Sequence, residues 1–526
     1  MDENSLIQDE NADIISGDET TKINLDLLEA QLKKKRKKNG ILNIIGLCAQ
    51  KIEFGILSNV NYLSIYYVYY LHTIDKEISK ENSITLSSIL CCMQFSTIWI
   101  GGVLKEYIGI RLVIAISNVL LILGSIGMIL FDNLLAYKFM MVILGLGLGI
   151  PGSITNANTS LYIPEKKGLI NGIANIAWTT SSSLFNFIAV QVANPHSLKL
   201  EFDEDEIKQE KEEAKKNNKT IEFFNDNEED AKNVITFTII AIACYVVLSI
   251  ISIVFTFNFK KEDYEHTDEK EEKEKTEKEG KEEIKEGEGD KNEEKEEYII
   301  NDPEDKKAII KNKSTKKKKN KITFISYLKN WRFYTCFFLC SFKLIHANLI
   351  GGTFAILSNH YDTVSMDSQK IITTIAPIVN LAVTFTLSFV IDKFKFRHII
   401  IPTYILCLAH ALTFQLIKDN SVLYIIYFFA ITIITAIDNL STFPHFMKVF
   451  GMKYIVVIFG IFNIGVGYFN LGISIIVDYV LSGREKGDDY DSGLDLLMYV
   501  SAIFLLISLL LMTLENEKPI FPNIDD

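Results

Sequence analysis

The sequence predicts an all-α membrane protein of twelve transmembrane helices, arranged as two halves of six. Three observations predict it. Apolar residues make up 48% of the 526-residue chain and charged residues 23%, and the two populations are segregated into long apolar runs and charged gaps. Twelve runs are long enough to cross a bilayer, which takes about 20 mostly apolar residues because hydrocarbon offers the backbone no water to bond. One charged turn also recurs after the second run of each half. A large soluble helical protein would show polar faces at the helical period. VLLILGSIGMILF (119–131) and YVSAIFLLISLLLM (499–512) have none.

The chain opens on a polar tail, 1–40, that closes with KKKRKK at 33–38. A cleavable signal peptide is not expected, because this start is polar and the first apolar run is too long. The first half, 41–258, has its runs at 42–71, 84–104, 111–131, 136–160, 168–192 and 234–258. An acidic loop, 197–232, separates the last two and holds the acceptor sequon Asn218-Lys219-Thr220. A linker at 259–321 is first acidic and then basic, ending in KKKKNK at 316–321. Such charge blocks bury too little apolar surface to fold, so both insertions are expected to be disordered or weakly helical. They supply most of the net charge of −12. The basic block beside a span reads as an orientation or lipid signal, and no nucleic-acid partner is expected. The second half, 322–514, has runs at 332–358, 370–391, 398–417, 421–443, 454–480 and 493–514, and a tail, 515–526, closes the chain.

Lys105, Arg111, Lys166, Lys167, Lys393, Lys395, Arg397, Lys448 and Lys453 fall in short loops on the same side as KKKRKK. The opposite side carries the acidic loop and GREKGDDYDSG after run eleven. The positive-inside rule then places both termini and the linker in the cytoplasm; plasma and organelle membranes are not distinguished. All seven cysteines lie within runs, so neither a disulfide framework nor a metal site is expected.

The recurring turn is GGVLKEYIGIRLVI from Gly101 and SFVIDKFKFRHII from Ser388. Gly102, Glu106, Gly109 and Arg111 stand at the same offsets as Ser388, Asp392, Lys395 and Arg397. This duplicated acid-to-Arg turn resembles the cytoplasmic signature of the major facilitator superfamily of secondary transporters. The resemblance implies two six-helix halves around a midplane site. It also implies gating roles for Gly102, Glu106, Gly109, Arg111, Asp392 and Arg397, each carboxylate pairing with its Arg near a helix N-terminus. The stretch from Gly145 to Trp178, with Tyr162, Pro164, Lys166, Lys167 and Gly168, is similar to the oxalate–formate antiporter and monocarboxylate porter branch. Its glycines, Gly145, Gly147, Gly149 and Gly152, read foremost as close-packing sites. Two departures stand out: IITTIAPIVNLAVTFTLSFVI, 371–391 of run eight, carries no cation where that branch often has an Arg, and no sugar-porter Pro-Glu-Ser-Pro-Arg run follows run six.

Ionisable groups inside a span are costly and mark functional candidates. Lys51 and Glu53 stand in run one, Lys343 and His346 near the centre of run seven, and Asp438 with Asn439 in run ten. The resemblance places runs one, four, seven and ten around the cavity, and run four adds Asn156 and Asn158. Asn463 and Asn470 in run eleven are seven apart and share a face. For these groups the plain alternatives are interfacial snorkelling and interhelical hydrogen bonding. The expected function is alternating-access transport of a small organic anion, such as a monocarboxylate or dicarboxylate. Lys343 would meet the carboxylate, and His346, Asp438 or Glu53 would carry a coupling proton. A neutral or cationic solute, with Lys343 paired to Asp438, is the rival reading, and a non-transporting receptor or scaffold is another. No catalytic motif is present, so no enzyme activity, cofactor or metal is expected. The expected partners are the solute and the bilayer, and the protein is read as a monomer.

Overall fold

In the computed structural model the described residues are 3–58, 60–78, 82–195, 208, 211–212, 231–259, 323–343, 345–347, 349–350, 364, 366–389, 393–417, 420–482, 488–515 and 518–521. Most of the 197–232 loop, the linker and Asp392 lie outside them. The chain divides into two compact units: residues 1–38 with 260–327, and residues 39–259 with 328–526. The second unit holds both helical halves and is the one described below.

Span one is the end of the helix Glu3–Ser58 followed by Val60–Ile74. Spans two and three are Asn82–Ile108 and Ile110–Leu130. Span four is Leu134–Gly149 with Ile154–Tyr162, span five Lys167–Ala193 and span six Asn233–Phe255. Span seven begins as Trp331–Lys343, with helical residues at 345–347 and 349–350 beyond it. Spans eight to twelve are Met366–Ser388, Phe396–Ile417, Ser421–Phe450, Ile455–Ser482 and Asp488–Leu514.

Local sequence explains the ends. Asn133 starts span four by accepting the Ala136 amide at 2.8 Å, and Asn420 starts span ten by accepting that of Leu423 at 3.1 Å. The tight turns between spans two and three and between ten and eleven are at Gly109 (φ 77°) and Gly451 (φ 71°). Side chains are strained at such angles, and glycine is not. Span four departs from the continuous run expected of it. Pro151, which has no N–H, stands in a break between Gly149 and Ile154.

Among the described residues, nine helices are long and apolar enough to cross a membrane on their own. Span five is missing from that set although it runs to 27 residues, because its amides and the five consecutive hydroxyl residues at 179–183 lower its mean hydropathy. Exposed Leu112, Ile116, Val119 and Leu123 make a stripe along span three, as a lipid-facing helix requires. The first half packs on a buried cluster that includes Tyr67, Tyr137 and Phe237, and the second on one that includes Phe414, Tyr424 and Leu505.

The halves meet through small residues. On span two, a Cβ at Gly102 would lie 2.9 Å from Val457 of span eleven. A side chain at Gly460 would collide with the Trp99 backbone, and one at Gly172 of span five with Ser388 of span eight. Ser388 occupies in the second signature the place of Gly102 in the first, so the repeat recurs in the packing. At Gly467 the approach of spans two and eleven loosens to 3.1 Å, and at Gly472 nothing lies within 4 Å. The halves are therefore closed together at the end that carries the signature turns.

Candidate functional site

A cavity of about 600 Å³ lies between the halves and is lined by residues of both. Its first-half wall carries Lys51 and Phe54 on span one, Gln94 on span two and Asn156 on span four. Asn171, Asn175 and Trp178 line it from one face of span five, at the four- and three-residue steps of a helix. The second half presents Lys343, Asn380, Thr432, Thr435, Asn439, Asn463 and Asn470. The polar lining is thus mainly carboxamide, and it faces aromatic surface from Phe54, Trp178, Phe443 and Phe459.

Lys343 is not the free cation expected. Its Nζ lies 2.5 Å from Asp438 Oδ2 and donates to Thr442 Oγ1 at 2.6 Å. Tyr404 donates to the other carboxylate oxygen at 3.4 Å. Both charged residues are buried, with 6% and 1% of their surface exposed. A charge taken out of water needs a partner and further hydrogen bonds, and each ion supplies these to the other. Spans seven and ten thus contribute a neutralised pair at the cavity edge.

Lys51 does line the cavity. It donates to the Gly152 carbonyl at 2.7 Å and sits 4.8 Å above the Phe54 ring. The break at Pro151 releases that carbonyl from the helical ladder, and the ammonium takes it up. Among the described residues Lys51 makes no ion pair with a carboxylate.

Three expected site residues lie elsewhere. His346 bonds Ser501 at 2.8 Å and His410 at 2.9 Å, in the packing of spans seven, nine and twelve. Three residues along a helix leave 60° between side chains, enough to send Lys343 and His346 to different neighbours. Glu53, wholly buried, accepts from Ser249 Oγ of span six at 3.2 Å, inside the first half. Asn158, two residues and 200° from Asn156, faces the other way. It donates to the Phe257 carbonyl at 2.8 Å and accepts from the Phe259 amide at 3.2 Å, which ties down the chain leaving span six.

The signature arginines also differ from expectation. Arg111 donates to the Thr256 carbonyl at 2.5 Å and stacks 4.5 Å over Phe257, while Glu106 stands exposed. No ion pair joins Glu106 to Arg111 among the described residues. Arg397 donates to the Thr513 carbonyl at 3.0 Å. Each Arg therefore binds the C-terminal end of the last span of its half, where carbonyls lack helical partners and the helix dipole attracts a cation. Asp392, outside the described residues, carries no geometry.

A chain of amides crosses between the halves at the closed end of the cavity. Asn156 Nδ2 donates to Asn171 Oδ1 at 3.0 Å, and Asn171 Nδ2 donates to the Leu440 carbonyl of span ten at 2.8 Å. Asn171, Asn175, Trp178, Gln94 and Asn380 were not singled out from the sequence. The signal for span five was present, since Asn171 and Asn175 stand four apart, at helical spacing, within the apolar start of the span.

The family model described as Major Facilitator Superfamily matches residues 18–186. A search of curated proteins gives no match. Among solved structures, a variant of the E. coli fucose:proton symporter FucP is similar at TM-score 0.56 and 12% identity, over 90% of this chain and 99% of that one. FucP in an outward conformation matches equally, at TM-score 0.56, 12% identity and the same coverage. The proton:xylose symporter XylE bound to 6-bromo-6-deoxy-D-glucose is similar at TM-score 0.52 and 11% identity, over 90% and 95% of the two chains. This chain has the major facilitator fold of a multi-pass membrane protein, and its first half carries that superfamily's sequence pattern.

Proposed function

We propose that the protein is a secondary transporter that moves a small polar solute across a membrane by alternating access. The observation that carries this reading is the amide-lined cavity between two repeated halves that approach closely, through small residues and the Asn171–Leu440 hydrogen bond, at one of its ends. Such a contact can part and re-form as the halves rock, which moves access from one side of the cavity to the other. With the signature turns cytosolic, as the positive-inside rule places them, the structure is closed to the cytosol. The buried Lys343–Asp438 pair is the group assigned to coupling. A proton taken by Asp438 would break the ion pair and free Lys343, and so change the polarity of the cavity edge.

A second reading, transport of an organic anion, is favoured by Lys51, which lines the cavity and has no carboxylate partner among the described residues. Similarity to a particular porter branch adds no support to it, because the fold is shared by symporters of sugars.

Uptake into proteoliposomes containing the purified chain tests the proposal. Saturable, protein-dependent accumulation of a small polar solute is expected, and its complete absence across neutral, anionic and cationic panels at two pH values would leave a receptor or scaffold role. Collapse of a proton gradient should lower accumulation, and an unchanged level would remove the coupling assignment.

A further inference from the structure

We infer that the cavity takes a neutral, hydroxyl-bearing solute of the sugar or polyol class, read by Asn156 and Asn175. The inference rests on the transporter reading above and specifies its substrate. Its starting point is the Leu440 carbonyl, which can only accept. That fixes Asn171 with its nitrogen toward Leu440 at 2.8 Å and its oxygen toward Asn156 Nδ2 at 3.0 Å. The assignment of oxygen and nitrogen in both amides is thereby set by a backbone group rather than left free. Asn156 Oδ1 must then point away from this chain, and it is buried with no hydrogen-bond partner. One helical turn beyond Asn171, Asn175 Nδ2 is likewise buried and unpartnered. Both residues line the cavity.

An acceptor and a donor that the protein leaves unpaired, on walls of one cavity, are open to water or to a ligand, and a ligand that displaces the water must satisfy both. A hydroxyl both donates and accepts, so a molecule with several hydroxyls meets both demands. A carboxylate accepts only: it would satisfy Asn175 and set its negative charge against the Asn156 oxygen. An ammonium has the converse fault. Trp178, three residues after Asn175 and also lining the cavity, adds a flat apolar surface for the C–H face of a sugar ring. The neutralised Lys343 removes the strongest argument for an anion. Lys51, already donating to Gly152, keeps further N–H groups that can serve a hydroxyl as well as a carboxylate.

The test uses the full chain in proteoliposomes, with radiolabelled D-glucose, D-xylose, L-fucose and myo-inositol set against lactate and succinate. Saturable uptake of at least one of the four neutral probes is expected, with none for the two carboxylates. Asn156→Leu should raise the apparent KM tenfold or more. Asn175→Asp, which keeps the size and replaces the donor by an acceptor, should do the same while the protein remains monodisperse by size exclusion. Uptake of lactate or succinate that is lost in Lys51→Met and indifferent to Asn156→Leu would overturn the inference and leave the transporter reading standing. Uptake of none of the six probes would also overturn it, and the wider panels above then decide whether the protein transports at all.

Discussion

At Lys343 the environment, rather than the residue type, sets the role. A mid-membrane lysine invites an anion-binding reading, yet Asp438 and Thr442 hold its ammonium at 2.5 and 2.6 Å. Lys343→Met should therefore leave Asp438 as an uncompensated buried charge and destabilise the protein by about 3–5 kcal/mol, with loss of transport. The double variant Lys343→Met, Asp438→Leu should recover most of that stability while remaining inactive, because apolar replacements of a buried pair are often neutral. Thermal unfolding of the purified variants together with flux checks both statements. A single variant as stable as the parent would show that the pair does not persist in the membrane. Lys51 differs in that it meets a backbone carbonyl and a ring face, with no carboxylate opposing it among the described residues.

Among the elements, the ends of spans six and twelve and the start of span five carry the most specific expectations. Arg111 binds the carbonyl of Thr256, just past span six, as Arg397 binds that of Thr513 in the last turn of span twelve. Arg111→Ala should cost about 0.3–2 kcal/mol, the range for a cation at a helix C-terminus. The loss should appear as faster amide hydrogen exchange at 256–259 with span six itself little changed. Equal protection in parent and variant would mean that Asn158, Asn43, which accepts from the Phe257 amide, and Tyr162, which donates to the Asn258 carbonyl, hold this segment without Arg111. On span five, Asn171 ties the halves through the Leu440 carbonyl. Asn171→Leu removes a hydrogen bond of roughly 1 kcal/mol, enough for an approximately fivefold shift in a two-state equilibrium. Spin labels at Lys105 and Lys453, one on each half at the closed end, should report a larger share of long distances in the variant. An unchanged distance distribution would place the latch in the small-residue contacts at Gly102 and Gly172 instead.

At the scale of the whole molecule, topology and linker are the testable features. Tags at Met1, within 260–321 and at Asp526 should all face the cytosol, and a tag within 197–232 should not. Accessibility labelling that puts the linker and the 197–232 loop on one side would remove the six-plus-six arrangement. Deleting most of 265–310 should leave flux nearly intact, since a charged linker of this composition supplies reach rather than contacts. Loss of flux from correctly inserted protein would show that the segment takes part in coupling.

The fold class was legible because the bilayer limits the choices: long apolar runs must become helices, and the repeated signature divides them into two sets. Several cavity residues were legible for the same reason, since Lys51, Asn156, Asn439, Asn463 and Asn470 are polar groups that a lipid-facing surface would not hold. Lys343, too, lines the cavity, but its occupation by Asp438 was not decided by sequence. The two stand 95 positions apart, and the pairing depends on how spans seven and ten pack. The break at Pro151, the turning of Asn158, Glu53 and His346 into the packing of their own halves, and the path of Arg111 to the end of span six were decided in the same way. Sequence by itself determined that polar groups would be buried in this membrane protein. Only the tertiary structure decided which of them satisfy one another and which, like Asn156 Oδ1 and Asn175 Nδ2, are left without a partner at the cavity. Helical position fixes a side chain's direction to within a few tens of degrees, and a hydrogen bond is made or lost over a few tenths of an ångström.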